Sequence, residues 1–382
     1  MFQSMTIAAV TPHIIVHRRK EAMPVRAGMC SLLVRVETTC GLVGWGEAFG
    51  FGSIATTRTA IETLVGPLAV GRSFDDPALL YEDIGRTLHH YGRGGPARFA
   101  LAGLDIALWD LAGKKLGRST STLFGGERVR DVVDAYASLP KYGDPDKVRQ
   151  HVRIALDQGF RAVKVHEITD AAVAAARETM GPDLRLMVDC NCAWTREDAI
   201  GMAKLLERHD LTWLEEPVWP PEDVEGIQMV SAAGTVPPLA LGENLGNVFH
   251  FQPYIDAPAP TYLQPSVIKV SISEFLKIAR AGVAAGHKLA PHSAYLGSGL
   301  LAALQLAAAL PAYDIIEFFN PDLEMPLFGP IGRPGPDGRI VIPDGPGLGA
   351  DPLPEALEAL RFDPPDDFKW APPVVKPVKA VF

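Results

Sequence analysis

The stretch RAVKVHE, residues 161–167, has two basic side chains at its centre, in an otherwise apolar run. Lys164 and His166 are two residues apart, so in a β-strand they lie on the same face. An ammonium group can neutralise an anion, and an imidazole can take up a proton near neutral pH. The pattern therefore predicts a buried strand that ends with an ammonium group and an imidazole on the same face.

Acidic side chains end three later β-rich runs. Asp189 lies in RLMVDCN, Glu215 in TWLEEP and Glu243 in PLALGEN. If these runs are neighbouring strands about 4.8 Å apart, the three carboxylates converge and repel one another unless a cation lies among them. A set of oxygen ligands without His or Cys favours Mg²⁺ over zinc. The alternative is that these acids form ion pairs with Lys or Arg at a solvated rim.

The elements that would position these residues follow a regular alternation. Eight short β-rich runs begin near residues 132, 162, 185, 212, 238, 262, 288 and 314, and each gap can hold one helix. Six of the eight runs are apolar at their starts and polar at their ends. We therefore predict an α/β fold, a (β/α)8-type parallel barrel with its chemistry at the carboxyl ends of the strands.

The first part of the chain has a different pattern. CSLLVRVET and LVGWGEA, separated by a turn, predict a β-hairpin, and helical periodicity follows from about residue 56 to residue 116. We predict an N-terminal α+β capping domain over residues 1–127, completed by the proline-rich tail 350–382, and a barrel over residues 128–349.

Composition limits the function. The chain has 382 residues, a net charge of -9 and a pI of about 5.6, which argues against binding to nucleic acid or to an anionic membrane. No apolar run is long enough to cross a bilayer, and the N-terminus is unlike a secretory signal, so we expect a cytoplasmic protein. The four cysteines lack the spacing of a zinc site.

Taken together, these motifs resemble the enolase superfamily, in particular its mandelate racemase-like branch. LVGWGEA and ALAGLDIALWDLAGKKLG resemble the family's capping domain; VDCN, WLEEP and LGEN resemble its metal-binding strand ends; LAPHS, IIEFF and VIPDGPGLG resemble the end of its barrel. The resemblance implies that Asp189, Glu215 and Glu243 bind Mg²⁺. It also implies abstraction of the proton α to a carboxylate, through an enediolate.

The resemblance also assigns the remaining catalytic roles. His166 stands where this branch usually has a second lysine, and it would be the base. Lys164 would neutralise the substrate carboxylate. His292, on the seventh strand, would be the second acid or base, and Glu317, on the eighth, would donate a hydrogen bond or orient a neighbour. Glu216 has the opposite strand parity, and we expect it to be structural.

Strand six departs from the family. Relatives have an Asp there that hydrogen-bonds the strand-seven His, whereas this chain has Ser266. A His without that Asp is a weaker base, which disfavours racemisation, since racemisation needs a base on each face.

We therefore expect a dehydratase that converts a sugar acid or other polyhydroxy acid to a 2-keto-3-deoxy acid. The alternatives are a racemase or epimerase of a 2-hydroxy acid, a lactone cycloisomerase, and a non-catalytic ligand-binding barrel. Ser266 together with another group could also orient His292.

Specificity is expected in two loops of the cap, VHRRKEAMPVRAG and FGFGSIATT. Candidate substrate-binding residues are Asn191 and Asn244 at strand ends, Ser266, and His17 and Phe51 in these loops. The cluster 18–20, with two Arg and one Lys, could bind a second acidic group but is more typical of a solvated surface. The expected partners are a small carboxylate substrate and further copies of the chain in a homo-oligomer. Lys269 is expected to be structural.

Overall fold

The computed structural model describes residues 3–18, 30–319 and 323–364. Its first sheet has the order β3-β2-β1-β4 and is antiparallel. The strands are β1 (Met5–Val16), β2 (Cys30–Thr38), β3 (Val43–Ala48) and β4 (Ser73–Phe74). The pairing of β2 with β3 confirms the predicted hairpin.

Helices of the N-terminal region follow this hairpin. They are α1 (Ile54–Ala60), α2 (Gly66–Ala69), α3 (Pro77–Thr87) and α4 (Pro96–Leu116). Short 3-10 segments lie at Phe51–Ser53, Leu88–Tyr91 and Thr120–Leu123, and a π-helical turn lies at Ile61–Val65. The long helix α4 is apolar on nearly all sides and is buried. It ends at Gly117, whose φ of 62° is a left-handed conformation that glycine adopts without strain.

Glycines allow α4 to lie directly on β3. A Cβ atom at Gly46 would stand 1.9 Å from the carbonyl oxygen of Gly103, and one at Gly44 would stand 2.4 Å from that of Ala107. The alternating glycines of the GWGE motif thus place the hairpin against the helix backbone, and this contact fixes where the end of β3 lies.

The predicted parallel barrel is confirmed. Its strands are β5 (Val132–Leu139), β6 (Ala162–Val165), β7 (Arg185–Asp189), β8 (Trp213–Glu215), β9 (Leu239–Leu241), β10 (Tyr262–Leu263), β11 (Lys288–Leu289) and β12 (Ile316–Phe319). Adjacent strands pair in parallel from β5 to β11, and β12 pairs with β5. A single parallel bridge between Leu289 and Tyr313 joins the two remaining edges, so the ring is closed.

Seven helical connections link the eight strands. They contain α5 (Pro145–Asp157), α6 (Asp170–Met180), α7 (Arg196–Leu206) with a 3-10 turn at Glu207–His209, α8 (Val224–Ser231), α9 (Val248–Ile255), α10 (Val267–Val270) with α11 (Ile272–Ala284), and α12 (Ser298–Ala309). No helix among the described residues is long and apolar enough to span a membrane.

Strand alternation divides the barrel interior into layers. One apolar layer contains a buried residue from each strand or its immediate neighbour: Tyr136, Ala162, Met187, Trp213, Ala240, Tyr262, Ala290 and Ile315. Two residues further along the same strands come Ser138, Lys164, Asp189, Glu215, Gln264, His292 and Glu317. Because side chains two apart share a face, the apolar layer forms the floor of a polar layer at the carboxyl end.

The chain after β12 returns to the first sheet. β13 (Arg339–Val341) pairs with β5, and α13 (Pro354–Leu360) precedes a bridge between Arg361 and Ile15 of β1. The amide of Phe362 donates to the carbonyl of Ile14 at 2.8 Å. The tail therefore reaches the N-terminal sheet. The division of the chain at residue 127 stays a prediction, and residues 365–382 lie outside the described part.

Candidate active site

Three acidic side chains meet at the carboxyl end of the barrel. Asp189 ends β7, Glu215 ends β8, and Glu243 follows β9 after Gly242. One carboxylate oxygen from each lies within 4.8 Å of the others. Asp189 and Glu215 are paired across adjacent strands, and the amide of Asn191 donates to Asp189 Oδ1 at 2.9 Å. The predicted convergence of the three carboxylates is thus present.

Lys164 lies at the bottom of this group and is fully buried. Its Nζ is 3.2 Å from Asp189 Oδ2, 2.9 Å from Glu215 Oε1 and 3.0 Å from Glu317 Oε1. Burial alone would lower the pKa of Lys164, but the surrounding carboxylates outweigh it, and the pKa lies well above 10.5. The lysine is therefore a permanent cation.

One lysine does not balance this much negative charge. Burial, together with the charge of Asp189, raises the pKa of Glu215 to about 8. Without a further cation, Glu215 therefore takes up a proton more readily than an exposed glutamate does. Three oxygen donors, two of them buried, suit a hard divalent ion, whose charge would replace that proton. The donor set fits Mg²⁺.

His166 lies beside the acids, and one of its ring nitrogens is hydrogen-bonded to the backbone. Its Nδ1 is 2.6 Å from the carbonyl oxygen of Leu139, and a carbonyl can only accept, so Nδ1 carries a proton. In the neutral ring Nε2 is then the basic nitrogen, and it lies 3.2 Å from Asp189 Oδ2. Burial would lower the pKa of His166, but the charge of Asp189 outweighs it and raises the pKa above 6.5.

His292 and Glu317 form the opposite wall. His292 Nε2 is 3.2 Å from Glu243 Oε2, and burial lowers the pKa of His292. Glu317 accepts from the amide of Ser293 at 3.0 Å. Burial works against ionisation of Glu317, but Lys164 and His292 offset it and lower the pKa to about 2, so Glu317 is a carboxylate and not a proton donor. Of the two roles expected for it, orienting a neighbour fits.

A cavity of about 520 Å³ opens above these groups. Four of the predicted catalytic and metal-binding residues line it, namely His166, Glu243, His292 and Glu317. Lys164, Asp189 and Glu215 are buried and are not among its lining residues. The cavity is also lined by the loop after β3, including Phe49 and Phe51, so the N-terminal region supplies part of the wall.

The predicted substrate-binding residues divide between the cavity and its surroundings. Phe51, Asn191 and Asn244 line the cavity. Ser266 is fully buried, and its hydroxyl lies 2.5 Å from that of Tyr295. His17 is also buried, with Nε2 3.0 Å from the hydroxyl of Ser31, which does line the cavity. Neither Ser266 nor His17 lines it. Arg18 is exposed, and residues 19–29 lie outside the described part.

Glu216 is not part of the cluster of three acids, in agreement with its opposite strand parity. Its backbone has a φ of 43°, and its carboxylate accepts from Asn244 Nδ2 at 3.0 Å. The same amide donates to Glu243 at 3.1 Å and accepts from Lys269 Nζ at 3.0 Å. Asn244 therefore connects a metal-ligand candidate to a buried network.

Sequence reasoning missed several residues of the cavity. Lys269, expected to be structural, lines it, and its Nζ lies 4.5 Å from the ring centroid of Phe49. Tyr295 and Glu47 also line it. Ser138, at the end of β5, could have been found, because it is the polar end of the first β-rich run. Tyr295 and Glu47 have no comparable signal in the sequence.

Comparison with known proteins agrees with this geometry. The model of the mandelate racemase / muconate lactonizing enzyme N-terminal domain matches residues 7–125, and that of the enolase C-terminal domain-like family matches residues 147–356. The chain belongs to the mandelate racemase and muconate lactonizing enzyme family. The resemblance seen in the sequence is thereby confirmed, and so is the fold class.

Individual members of the family carry different activities. The chain is 32% identical over 386 residues to D-galactarolactone cycloisomerase of Agrobacterium fabrum, covering 94% of this chain and 100% of that one. It is 29% identical over 325 residues to arabinonate dehydratase of Saccharolobus solfataricus, covering 82% of this chain and 86% of the relative. Relatives of this family member thus include both lyases and isomerases that act on sugar acids or their lactones.

Solved structures of the family share the whole architecture. A mandelate racemase/muconate lactonizing enzyme from Bordetella bronchiseptica RB50 superposes with a TM-score of 0.81 at 32% identity, covering 94% of this chain and all of that one. A family protein from Paracoccus denitrificans PD1222, solved in complex with magnesium, gives 0.83 at 26% identity, over 94% and 98% of the two chains. The family therefore includes a structure that holds the metal expected here.

Proposed function

We propose that this enzyme removes the proton α to a carboxylate with the help of Mg²⁺ and dehydrates a sugar acid or other polyhydroxy acid to a 2-keto-3-deoxy acid. One observation carries the proposal. Two imidazoles, His166 and His292, face the acid cluster from different sides, each with Nε2 at 3.2 Å from a carboxylate of that cluster. A substrate carboxylate held there has one proton acceptor and one proton donor beside it.

The first step falls to His166. Its Nδ1–H is held by the carbonyl of Leu139, which leaves the Nε2 lone pair for the α-proton. A positioned general base of this kind contributes about 10²- to 10⁴-fold to a rate. The proximity of Asp189 stabilises the imidazolium that forms, so proton uptake by His166 is supported electrostatically.

The second step falls to His292. The C–O bond at the β-carbon breaks, the electron pair from the α-carbon forms the C–C double bond, and the leaving hydroxide takes a proton from Nε2 of the imidazolium form of His292 and departs as water. The resulting enol then takes a proton at the β-carbon and loses the proton of its hydroxyl group, which gives the 2-keto acid, so the net change is the loss of one water. The pKa of His292 is lowered by burial, which makes its protonated form a stronger acid.

Asp189, Glu215 and Glu243 would hold the Mg²⁺, which supplies positive charge against the double negative charge of a carboxylate that has lost its α-proton. Lys164 adds a fixed positive charge directly beneath the same point. Beside it, Glu317 stays ionised and holds the Lys164 ammonium group at 3.0 Å. The floor of the site thus stabilises negative charge where it develops.

Lactone cycloisomerisation is the second candidate, and the relative that covers this chain almost entirely favours it. A lactone whose ring oxygen lies on the β-carbon would open by the same elimination, with a carboxylate in place of hydroxide as the leaving group. Racemisation or epimerisation remains a third candidate. It requires His292 to act as a base as strong as His166, and the lowered pKa of His292 works against that.

A substrate screen in D₂O separates these reactions. Aldonic acids, aldaric acids and their lactones are incubated with Mg²⁺ and followed by a reagent for 2-keto acids and by proton NMR. Dehydration predicts a keto product from an acyclic acid, with deuterium at the carbon next to the ketone. Keto product from lactones alone would indicate ring opening. Deuterium at the α-carbon of an otherwise intact acid would contradict the proposal and indicate a racemase or epimerase.

A further inference from the structure

The hydroxyl group of a tyrosine lies between Ser266, the residue of strand six, and the ring of His292. Tyr295 lies three residues after His292 and is 4% exposed. Its hydroxyl group is 3.3 Å from His292 Nδ1, 2.5 Å from the hydroxyl of Ser266 and 2.6 Å from the carbonyl oxygen of His292. Ser266 makes no side-chain cap bond to α10, the helix that follows it, so its hydroxyl is directed to the tyrosine.

Counting protons assigns the donors on the Nδ1 side of His292. Its Nε2 faces Glu243 Oε2 at 3.2 Å, and because bound Mg²⁺ would take up that carboxylate, the assignment applies to the Mg²⁺-loaded protein. A phenol has one proton and two lone pairs, and a carbonyl oxygen can only accept. The proton of Tyr295 therefore goes to the carbonyl of His292. The hydroxyl of Ser266 must then donate to Tyr295, and the second lone pair of Tyr295 accepts from His292 Nδ1–H. The assignment uses the full hydrogen-bonding capacity of the phenol.

We propose that Tyr295, oriented by Ser266, is a positioning residue that holds the proton of His292 on Nδ1, so that Nε2 is the nitrogen that exchanges protons with the substrate. The inference rests on the proposed role of His292 as the second acid or base. The Asp expected in relatives would both fix the tautomer of the histidine and stabilise its positive charge. Tyr295 takes over the first of these two roles. Tyr295 does not take over the second role, because a neutral phenol adds no charge to stabilise an imidazolium.

This division of roles has a consequence for the reaction. An imidazole whose Nδ1–H is bonded to a neutral phenol, and not to a carboxylate, gives up a proton more readily than it takes one. In its imidazolium form His292 is then suited to protonate a leaving group from Nε2, whereas the neutral ring is poorly suited to abstract an α-proton. The arrangement supports an elimination with His166 as its base, whether the leaving group is hydroxide or a lactone carboxylate.

The tautomer is measurable without any substrate. The Mg²⁺-loaded protein is labelled with ¹⁵N-histidine, and two-bond ¹⁵N–¹H correlation spectra are recorded at a pH where His292 is neutral, its signals being assigned with His292→Asn. The expected result is an Nδ1–H ring in the wild type and a large population of Nε2–H ring in Tyr295→Phe. The control is Tyr254→Phe, which loses a similar bond of 2.6 Å to the backbone carbonyl of Pro221 and should leave the His292 signals unchanged.

A rescue variant separates positioning from folding. On a substrate identified by the screen, Tyr295→Phe should lower kcat about 10- to 100-fold with little change in KM or Mg²⁺ affinity, as for other residues that orient a catalytic group. Adding Ser266→Asp to Tyr295→Phe supplies the family's carboxylate and should restore the Nδ1–H signal and part of kcat. An unchanged Nδ1–H signal in folded Tyr295→Phe would overturn the proposal. Because that measurement needs no turnover, it does so independently of the proposed reaction.

Discussion

At the scale of single residues, the chemistry depends on which nitrogen of His166 is free. Leu139 holds Nδ1–H, so Nε2 is the base. We predict that His166→Asn lowers kcat by about 10²- to 10⁴-fold, the usual contribution of a general base. Formation of the deuterated 2-keto product in D₂O should be lost to the same extent.

The control for this variant is His250→Asn, since His250 lies on α9 and its Nδ1 accepts from the amide of Gly246. Calorimetric titration with Mg²⁺ should give the same stoichiometry in wild type, His166→Asn and His250→Asn. Retained turnover in His166→Asn would remove this residue from the mechanism.

A second residue-scale prediction concerns Glu215 and the metal. Burial beside Asp189 raises the pKa of Glu215 to about 8. Below that pH the metal-free carboxyl holds a proton that an ion must displace, whereas above it the carboxylate is already free. Mg²⁺ affinity should therefore rise as pH increases from 6 to 8 and level off above, by about tenfold per pH unit where one proton is released.

Titration calorimetry in buffers of different ionisation enthalpy measures this proton release directly. One proton per Mg²⁺ is expected at pH 6.5, and a much smaller number at pH 9. In Glu215→Gln the proton release should disappear together with most of the affinity. Proton release that stays constant from pH 6.5 to pH 9 would contradict the assignment of this proton to Glu215.

At the scale of elements, the alternating glycines of β3 set the distance between hairpin and helix. A Cβ atom at Gly46 would lie 1.9 Å from the carbonyl of Gly103, and backbone cannot move away as a side chain can. We predict that Gly46→Ala lowers the free energy of unfolding by about 3 kcal/mol or more, at the upper end of overpacking effects. Urea unfolding followed by circular dichroism measures the change.

Gly201 provides the matched control for this substitution. It lies in α7, and a Cβ atom there would meet nothing within 4 Å. Gly201→Ala should be neutral or raise the free energy of unfolding by up to about 1 kcal/mol, because alanine favours a helix. If both substitutions had the same effect, close packing of β3 on α4 would not be what positions the hairpin.

The elements of the barrel were predictable because each strand repeats the same physical pattern. A parallel strand buried on both faces must be apolar until its end, so the eight apolar runs and their polar ends located the observed strands to within two residues. The same alternation placed Asp189, Glu215 and Lys164 on the inner face. Glu243 needed the family motif as well, since it lies beyond β9 and its strand parity differs.

The contacts between distant elements were not predictable in this way. Tyr295 lies 29 residues along the chain from Ser266, its hydrogen-bond partner. Glu47 lies 252 residues from Gly299, and its carboxyl group accepts a hydrogen bond from the Gly299 amide. Periodicity shows which face of a strand is buried but not which residue of another element lies against it. For the same reason, the sequence identified Ser266 as a departure from the family without showing which residue compensates for it.

At the scale of the whole molecule, one buried carboxyl group joins the N-terminal sheet to the barrel. Glu47 follows the glycines of β3, is 3% exposed, and accepts from the amide of Gly299 in the first turn of α12 at 2.8 Å. The helix N-terminus favours negative charge there. Burial nevertheless dominates and raises the pKa of Glu47 to about 7.

The sign of the resulting pH dependence follows from linkage. The folded pKa of Glu47 lies above the unfolded value of 4.5, so the folded state binds the proton more tightly. The contribution of Glu47 to stability is therefore complete below pH 4.5 and is lost progressively as pH rises towards 7. Glutamine at this position cannot titrate and lacks this loss.

We predict that Glu47→Gln, measured by urea unfolding in the presence of EDTA, lowers the free energy of unfolding by about 1–3 kcal/mol at pH 5, because an amide N–H then faces backbone donors at the start of α12. The difference in free energy of unfolding between wild type and variant should narrow or reverse by pH 8, since only the wild type loses stability on ionisation.

Glu62→Gln is the control. Its carboxylate forms an exposed pair with Arg58, so the effect should stay within about 0.5 kcal/mol at both pH values. A gap for Glu47→Gln that widens with pH would mean that the charged carboxylate, and not the neutral acid, holds the two parts of the molecule together.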